Sequence, residues 1–234
     1  MQKYLVDHRD LRFTLFEFLE VDKMNRFRRF ENFDGDVYEE TIRLAEKIAA
    51  QWVFPANVTG HREGCRYDPQ TRSVRLPSGY SDAARALCDA GFLSIADDQE
   101  IGGAGMPLAI QSCTWEIFCG AGGALMLFFM LGHGAAHLIR SFGTPEQKSL
   151  YVQKLLSGEW GGTMCLTEPE AGSDVAAMQT IATYDRSTLG SGQKDLDFVL
   201  QGSKTWISNG GLADFYCVFA KTAPQGGSRG ISAF

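Results

Sequence analysis

Apolar residues recur at helical spacing through roughly the first 160 positions of the chain. The first clear helix begins with a capping-box pattern, Asp36 followed by Glu39, and Pro55 is expected to end it. Its apolar face consists of Ile42, Ala45, Ile48, Ala49 and Trp52. This spacing predicts an amphipathic helix with one face in a core.

Two stretches rich in glycine separate the following helices. Residues 56–80 also contain prolines and predict a long loop. The helix after this loop is expected to start at Ser81, run to Ala90 and close at Gly91. The second stretch, 101–107, lacks the glycine spacing of a phosphate-binding loop and predicts a turn between helices.

The segment from Ile117 to Ile139 contains no formal charge and is long enough to cross a bilayer. Gly132, His133 and Gly134 interrupt the run, and we expect them to expose backbone that lipid cannot satisfy. A membrane helix is the alternative, but a fully buried pair of helices in a soluble core is favoured, with no integral membrane span.

The last predicted helix starts at Thr144, where Pro145 and Gln147 complete the cap, and it ends at Gly158. Five short β-rich segments follow it, at 163–166, 178–184, 197–200, 204–208 and 215–220. Helical and β segments are thus separated along the chain. This separation predicts an α+β fold, with an all-α domain followed by a partial antiparallel β domain.

We expect three regions along the chain. Residues 1–35 form an N-terminal extension, 36–160 the helical domain, and 161–234 an incomplete β domain. The extension is rich in phenylalanine and is expected to drape aromatic side chains over a neighbouring surface. A short helix is predicted there around 15–21.

Composition narrows the function classes. The formal net charge is −6, and nearby acidic residues balance the basic cluster at 26–29, which disfavours a nucleic-acid-binding surface. The six cysteines form no Cys-x-x-Cys pair, as is typical of reduced thiols in a cytoplasmic protein. The N-terminus lacks the apolar core of a secretory signal, which also favours the cytoplasm.

The segment MCLTEPEAGSD, residues 164–174, predicts a strand that ends in a polar loop. Thr167 offers a hydroxyl and a backbone N–H at the strand end, and small residues around Gly172 let the backbone approach a ligand closely. Successive N–H groups in such a loop can bind an anion. An ordinary β-turn, with Ser173 and Asp174 as turn formers, explains these residues equally well.

A second segment, KTWISNGG at 204–211, predicts a strand and a turn. Side chains two positions apart in a strand share a face, so Trp206 and Ser208 are expected to point the same way. An aromatic plane beside a hydroxyl suits a flat heteroaromatic ligand. A core tryptophan with a serine at the strand end is the alternative.

Four segments share the order and spacing found in the acyl-CoA dehydrogenase family. They are FGTPEQK at 142–148, LLSGE at 155–159, LTEPEAGSD at 166–174 and GSKTWISNGG at 202–211. The chain therefore resembles this family over roughly residues 36–234. Its opening, DHRDLRFTLF at 7–16, is similar to that of the long bacterial members, including the methylthiopropionyl-CoA dehydrogenase type.

The resemblance implies an FAD site. The implied cofactor-binding residues are Met164, Cys165, Leu166, Thr167, Gly172, Ser173, Trp206, Ile207 and Ser208. In this arrangement Gly172 and Ser173 hold the pyrophosphate region, Trp206 flanks the isoalloxazine, and Ser208 hydrogen-bonds near N5. Ser173 is also the implied acyl-CoA contact. Many members carry an aromatic or another apolar residue where Met164 stands, so the resemblance implies only a backbone role for it. Threonine is common where Ser208 stands, and serine keeps the hydroxyl.

The resemblance also implies the reaction, α,β-dehydrogenation of an acyl-CoA thioester. A glutamate removes the α-proton while hydride leaves the β-carbon for flavin N5, and an electron-transferring flavoprotein or similar acceptor reoxidises the flavin. A homo-oligomer is expected for the full-length protein. The alternatives are an acyl-CoA oxidase or related flavin enzyme of the same fold, and a truncated, non-catalytic fragment that binds flavin or a partner.

The family places its catalytic glutamate in a C-terminal helical domain after the β domain. We therefore expect the base to lie beyond Phe234, that C-terminal helical domain to be missing from this chain, and the 234 residues alone to be inactive. Glu168 and Glu170 lie in the flavin loop and are not assigned as the base.

Two further groups have competing interpretations. His133 and His137 are spaced as a metal pair on a helix, but no third ligand is evident, so no metal site is predicted and buried histidines near an acyl pocket are favoured. The run 128–130, Phe-Phe-Met, is favoured as core, with an acyl-chain pocket as the alternative.

Overall fold

A computed structural model describes residues 6–185, 197–223 and 227–234. Its helices are α1 His8–Arg12, α2 Gly35–Ile48, α3 Phe54–Glu63, α4 Tyr80–Asp89, α5 Leu108–Phe142, α6 Pro145–Gln147 and α7 Gln153–Ser157. Its strands are β1 Arg66–Asp68, β2 Ser73–Arg75, β3 Gly162–Cys165, β4 Ile181–Tyr184, β5 Phe198–Gln201, β6 Phe215–Lys221 and β7 Ile231–Ala233. Apart from the short strands β1 and β2, the predicted sequence of helices followed by strands is confirmed.

The N-terminal extension packs on the helical core. Helical structure runs from His8 through a π-helical segment, Phe13–Phe18, and Leu11 and Leu15 are buried. Phe13 and Phe18 are exposed, whereas Phe16 packs against the core, so the predicted covering by phenylalanines is only partly right. The buried side of this helical segment is the side that carries Leu11 and Leu15, which lie four positions apart, and not the side that carries Phe13.

The prediction that Pro55 ends the first helix is wrong. Asp34, not Asp36, caps α2 by accepting a hydrogen bond from the Val37 N–H at 2.9 Å. A π-helical turn, Ala49–Val53, then leads directly into α3. The wider turn makes room for the proline ring, which has no N–H and crowds the carbonyl four residues before it in an α-helix.

The predicted loop at 56–80 is shorter than expected. Helix α3 occupies its first part, and β1 and β2 form an antiparallel hairpin within it. Helix α4 starts after Gly79, whose φ of +84° favours glycine, and not at a Ser81 cap. Gly91, with φ of +73°, closes the helix as predicted.

Helix α5 is the apolar segment. Its backbone departs from helical geometry at Gly122, so it consists of two helices joined at a kink. The predicted pair of helices in this segment is therefore confirmed. Among the described residues this helix is long and apolar enough to span a membrane, but it packs against α2, α3 and β3. It is not fully buried, since Leu127 is half exposed.

The expected break at 132–134 is wrong, because these residues are helical. The glycines there allow close packing instead. A Cβ on Gly162 in β3 would lie 2.8 Å from the Cα of Gly132, so only glycine lets the strand approach the helix this closely. This contact fixes the position of β3 against α5.

The start of the last helical segment is confirmed. Thr144 and Gln147 form a reciprocal capping box, with Pro145 in the first turn. Helical structure continues through a π-helical turn, Lys148–Val152, into α7, and Gly158 ends it with φ of +78°.

The sequence predicted an antiparallel sheet, but the sheet in the structure is mixed. The order is β3-β6-β4-β5, with β7 also paired to β6. Strand β6 is parallel to β3 and β4, while the β4–β5 and β6–β7 pairs are antiparallel. The long connections between β3, β4 and β6 permit parallel pairing, which a short hairpin does not. Strand β3 lies at the edge of the described sheet, next to α5.

Candidate functional site

The segment 166–174 leaves β3 as a tight loop. Glu168 and Ala171 exchange backbone hydrogen bonds of 3.0 and 3.2 Å, which close a turn around Pro169. Ala171 is buried beneath the turn, whereas Gly172 and Ser173 are exposed. The predicted polar loop at the end of a strand is confirmed.

The segment 203–209 is not the strand that the alternation predicted. Trp206 and Asn209 have φ of +57° and +66°, which no strand contains. Tertiary hydrogen bonds favour this irregular backbone. Thr163 Oγ1 donates to the Ser208 carbonyl at 2.6 Å, and Asn209 Nδ2 donates to the carbonyls of Phe128 and Gly162 at 3.0 and 3.1 Å. The argument that Trp206 and Ser208 share a strand face is therefore wrong.

The two segments, which we call the paired loops (166–174 and 203–209), are joined by Lys204. Its Nζ donates to the Leu166 carbonyl and to Glu168 Oε1, both at 2.9 Å. The Thr205 N–H donates to the Thr167 carbonyl at 3.0 Å. We call these three hydrogen bonds the clasp. They bring together residues that lie more than thirty positions apart in the sequence.

Glu168 is the buried anchor of the clasp, with only 4% of its side chain exposed. Burial favours the neutral carboxyl, but its oxygens also accept hydrogen bonds from the N–H groups of Gln179 and Thr180 at 2.5 and 3.0 Å. These donors and Lys204 outweigh burial and lower the pKa of Glu168 to about 2. The carboxylate is therefore ionised at neutral pH.

The implied cofactor residues differ in what they offer a ligand. Cys165 is buried, and burial raises the pKa of its thiol, so only its backbone can contribute. The side chain of Met164 packs against the apolar cluster at α5 and α7. Leu166, Thr167 and Ile207 are half-buried, whereas four residues are exposed: Gly172, Ser173, Trp206 and Ser208.

A cavity of about 640 Å³ lies between the helices and the second of the paired loops. Its wall is mainly apolar, with Phe128 and Phe129 of α5 and Tyr80 of α4. Asn209 and Leu212 close its other side. Met130 is partly exposed and is not in the lining, so two of the three residues at 128–130 face the cavity.

Sequence reasoning missed the residues that position the site. In the sequence Lys204 is one residue of the KTWISNGG motif, and no local pattern predicts that its side chain is largely buried. Asn209 was interpreted as a turn former. Its side-chain bonds to α5 and β3 span up to 81 positions and leave no periodic pattern in the sequence.

Two sequence models of one family match the chain. The model described as "Acyl-CoA dehydrogenase, N-terminal domain" matches residues 66–159. The model described as "Acyl-CoA dehydrogenase, middle domain" matches residues 163–234. Together they cover most of the chain and include the paired loops.

Curated relatives align over nearly the whole chain. It is 33% identical over 240 residues to a broad-specificity linear acyl-CoA dehydrogenase of Mycobacterium tuberculosis, covering 100% of this chain and 38% of the relative. It is 29% identical over 237 residues to a 3-methylmercaptopropionyl-CoA dehydrogenase of Ruegeria pomeroyi, covering 99% of this chain and 38% of that relative. The chain thus spans about 38% of the length of these relatives.

The fold has solved counterparts. A glutaryl-CoA dehydrogenase from Mycobacterium smegmatis, in complex with FADH2, superimposes with a TM-score of 0.65 at 27% sequence identity. The match covers 86% of this chain and 45% of that one.

Proposed function

The chain belongs to the acyl-CoA dehydrogenase family, and from that premise we propose that its paired loops bind the flavin of an FAD-dependent enzyme that dehydrogenates an acyl-CoA thioester. The clasp carries this proposal, because it unites the two segments from which the family resemblance builds the FAD site. When bound, FAD supplies the acceptor for the hydride that leaves the β-carbon.

The surface of the paired loops fits such a ligand. The Trp206 side chain is 88% exposed, an unusual state for an indole without a partner. The hydroxyls of Thr167, Ser173 and Ser208 have no hydrogen-bond partner within the described parts of the chain. Nothing lies within 4 Å of a Cβ built on Gly172, so its backbone is open to a bulky group.

In this proposal, different residues of the paired loops contact different parts of FAD. We assign the indole of Trp206 to one side of the ring system and the Ser208 hydroxyl to its polar edge. Gly172 and Ser173 present backbone N–H groups to the pyrophosphate, which suits an anion. The carbonyls of Leu166 and Thr167 each accept one hydrogen bond of the clasp, which orients the loop.

The acyl chain is assigned to the cavity between the helices and the second loop. Its volume of about 640 Å³ and its apolar lining suit a hydrocarbon chain, and Asn209 borders both cavity and loop. Replacing Ala84 in its wall with Phe should weaken binding of long acyl-CoA more than short acyl-CoA. An equal loss for both would contradict this placement.

We assign the removal of the α-proton to a carboxylate outside the paired loops. Glu168 already accepts three hydrogen bonds, and its pKa of about 2 is far from that of an efficient base at neutral pH. The resemblance supports an electron-transferring flavoprotein or similar acceptor and a homo-oligomeric whole protein. Location in the cytoplasm stays a prediction from the sequence.

Titration of the 234-residue chain with FAD, followed by flavin fluorescence, tests the proposal. Saturable binding is expected, and Trp206→Leu should weaken it roughly 5- to 150-fold, since stacking of a flat base on an aromatic side chain contributes about 1–3 kcal/mol. Trp52 is a matched control because it is half exposed on the helical part. Equal affinities for the Trp206→Leu and Trp52→Leu variants would contradict the assignment.

A further inference from the structure

Three side chains outside the paired loops converge on one point. His133 and His137 lie one helical turn apart on α5, and Asp97 follows α4 in the chain. The Nε2 atom of His133 lies 2.8 Å from Asp97 Oδ2, and that of His137 lies 2.9 Å from Asp97 Oδ1. One ligand atom from each residue falls within 4.8 Å of the others. Asp97 is thus the third side chain of a metal-ligating type, which was not evident in the sequence.

The surroundings hold these side chains in place. The Asp97 side chain is 3% exposed, and its backbone is fixed by the Ser94 carbonyl at 3.0 Å and the Gly105 N–H at 2.8 Å. Trp115 packs edge-on against the His133 ring with centroids 5.2 Å apart. Ligands held in this way lose little conformational freedom when an ion binds.

The cluster is accessible from solvent. A cavity of about 320 Å³ is lined by Asp97, His133 and His137, together with Gln111 and the two basic residues Arg29 and Arg140. Because 46% of the His137 side chain is exposed, an ion can enter on that side and retain water in a further coordination position.

The neighbouring charges leave the Asp97 carboxylate available to a cation. Arg140 is the closest competitor, with Nη1 3.9 Å from Asp97 Oδ1. Its other terminal nitrogen is paired with Asp98, and Arg29 also donates to Asp98 at 2.8 Å. Asp98 therefore pairs directly with both guanidinium groups, whereas Asp97 faces the two imidazoles and has Arg140 only as a longer-range partner.

We propose that Asp97, His133 and His137 bind one divalent transition-metal ion of the zinc class, with water completing the coordination. Two imidazole nitrogens and one carboxylate oxygen form a ligand set that zinc takes in its open sites. Histidines four positions apart on a helix present both nitrogens on one face. The site is independent of the FAD proposal, and its ion would anchor the segment around Asp97 to α5.

Calorimetric titration of the full 234-residue chain with Zn²⁺, and optical titration with Co²⁺, test the site. One equivalent is expected, and the Co²⁺ spectrum should lack the charge-transfer band of thiolate ligands, which excludes the cysteines. Replacing His133 and His137 with Gln together should weaken binding at least roughly 100-fold, because loss of even supporting groups costs 10- to 100-fold. Asp97→Asn should weaken it as well.

The other two histidines provide a matched control. His8 and His61 lie outside the cluster, so the double variant His8→Gln, His61→Gln should bind Zn²⁺ like the wild type. Zn²⁺ should also raise the thermal midpoint of the wild type but not that of the cluster variant. The proposal is overturned if the wild type binds no more Zn²⁺ than the cluster variant, or if the control variant loses binding equally.

Discussion

The helical part and the sheet part of the molecule are stabilised by different interactions. Among the described residues, one cluster of 23 buried apolar side chains fills the helical part, and 7 form the cluster where helices meet the sheet. Cys217 is the strand residue among those 7. The paired loops of the sheet part depend on polar side chains that connect distant segments, above all Lys204, Glu168 and Asn209, and in the helical part the Asp97 cluster is the exception to apolar packing.

This difference has an energetic consequence. Apolar burial is spread over many side chains, so the loss of one methyl group in the helical part removes only a small share of the stabilising free energy. A buried ion pair concentrates its effect in two groups, because removal of one partner leaves a buried charge without compensation. We therefore expect the sheet part to be more sensitive to single substitutions than the helical part.

The largest effect is expected for Lys204→Met. It removes the partner of a carboxylate that is 4% exposed and should lower the free energy of unfolding by about 3–5 kcal/mol. Urea unfolding followed by tryptophan fluorescence measures this. Arg43→Met is the control, since the Arg43–Glu40 pair is exposed and its loss should cost no more than about 0.5 kcal/mol. Similar losses for both variants would show that burial does not distinguish the pairs.

An intermediate loss of stability is expected when the pH is lowered and Glu168 is protonated. The folded-state pKa of Glu168 is about 2, below the ordinary 4.5, so its contribution is complete above pH 4.5 and is lost as the pH falls towards 2. The full contribution is about 3 kcal/mol.

Urea unfolding at about pH 5.5 and pH 3 measures this loss. The wild type should lose about 2 kcal/mol more than Glu168→Gln between these two conditions. If both proteins lose the same free energy, Glu168 does not contribute the pH dependence.

The smallest effect is expected in the helical core. Ile42 is fully buried on α2, and Ile42→Val should lower the free energy of unfolding by about 0.5–1.5 kcal/mol, because neighbouring side chains share the loss. The same urea experiment measures it. A loss as large as that of Lys204→Met would remove the proposed contrast between the two parts.

Local signals in the sequence predicted much of the helical part. The Thr144 capping box and the Gly158 end depend on residues within one turn, so a short pattern suffices to identify them. The continuation of helix past Pro55 depends on a π-helical turn, whose five-residue hydrogen bond from Phe54 to Ala49 has no distinctive pattern. Propensity alone therefore placed the helix end incorrectly.

The site was predicted by motif and not by periodicity. Alternation around Trp206 suggested a strand, but side-chain bonds from Thr163 and Asn209 impose another backbone. The Asp97 cluster was missed for a related reason, since the carboxylate lies 36 positions from the nearer histidine. Contacts of this kind arise only when the fold brings the segments together.

The central claim is that the clasp joins the paired loops into one flavin-binding unit. Amide hydrogen exchange of the chain with and without FAD tests it most directly. FAD should slow exchange in 166–174 and 203–209 together and leave α2, Gly35–Ile48, unchanged. Slowing in only one of the paired loops, or in neither, would contradict the account.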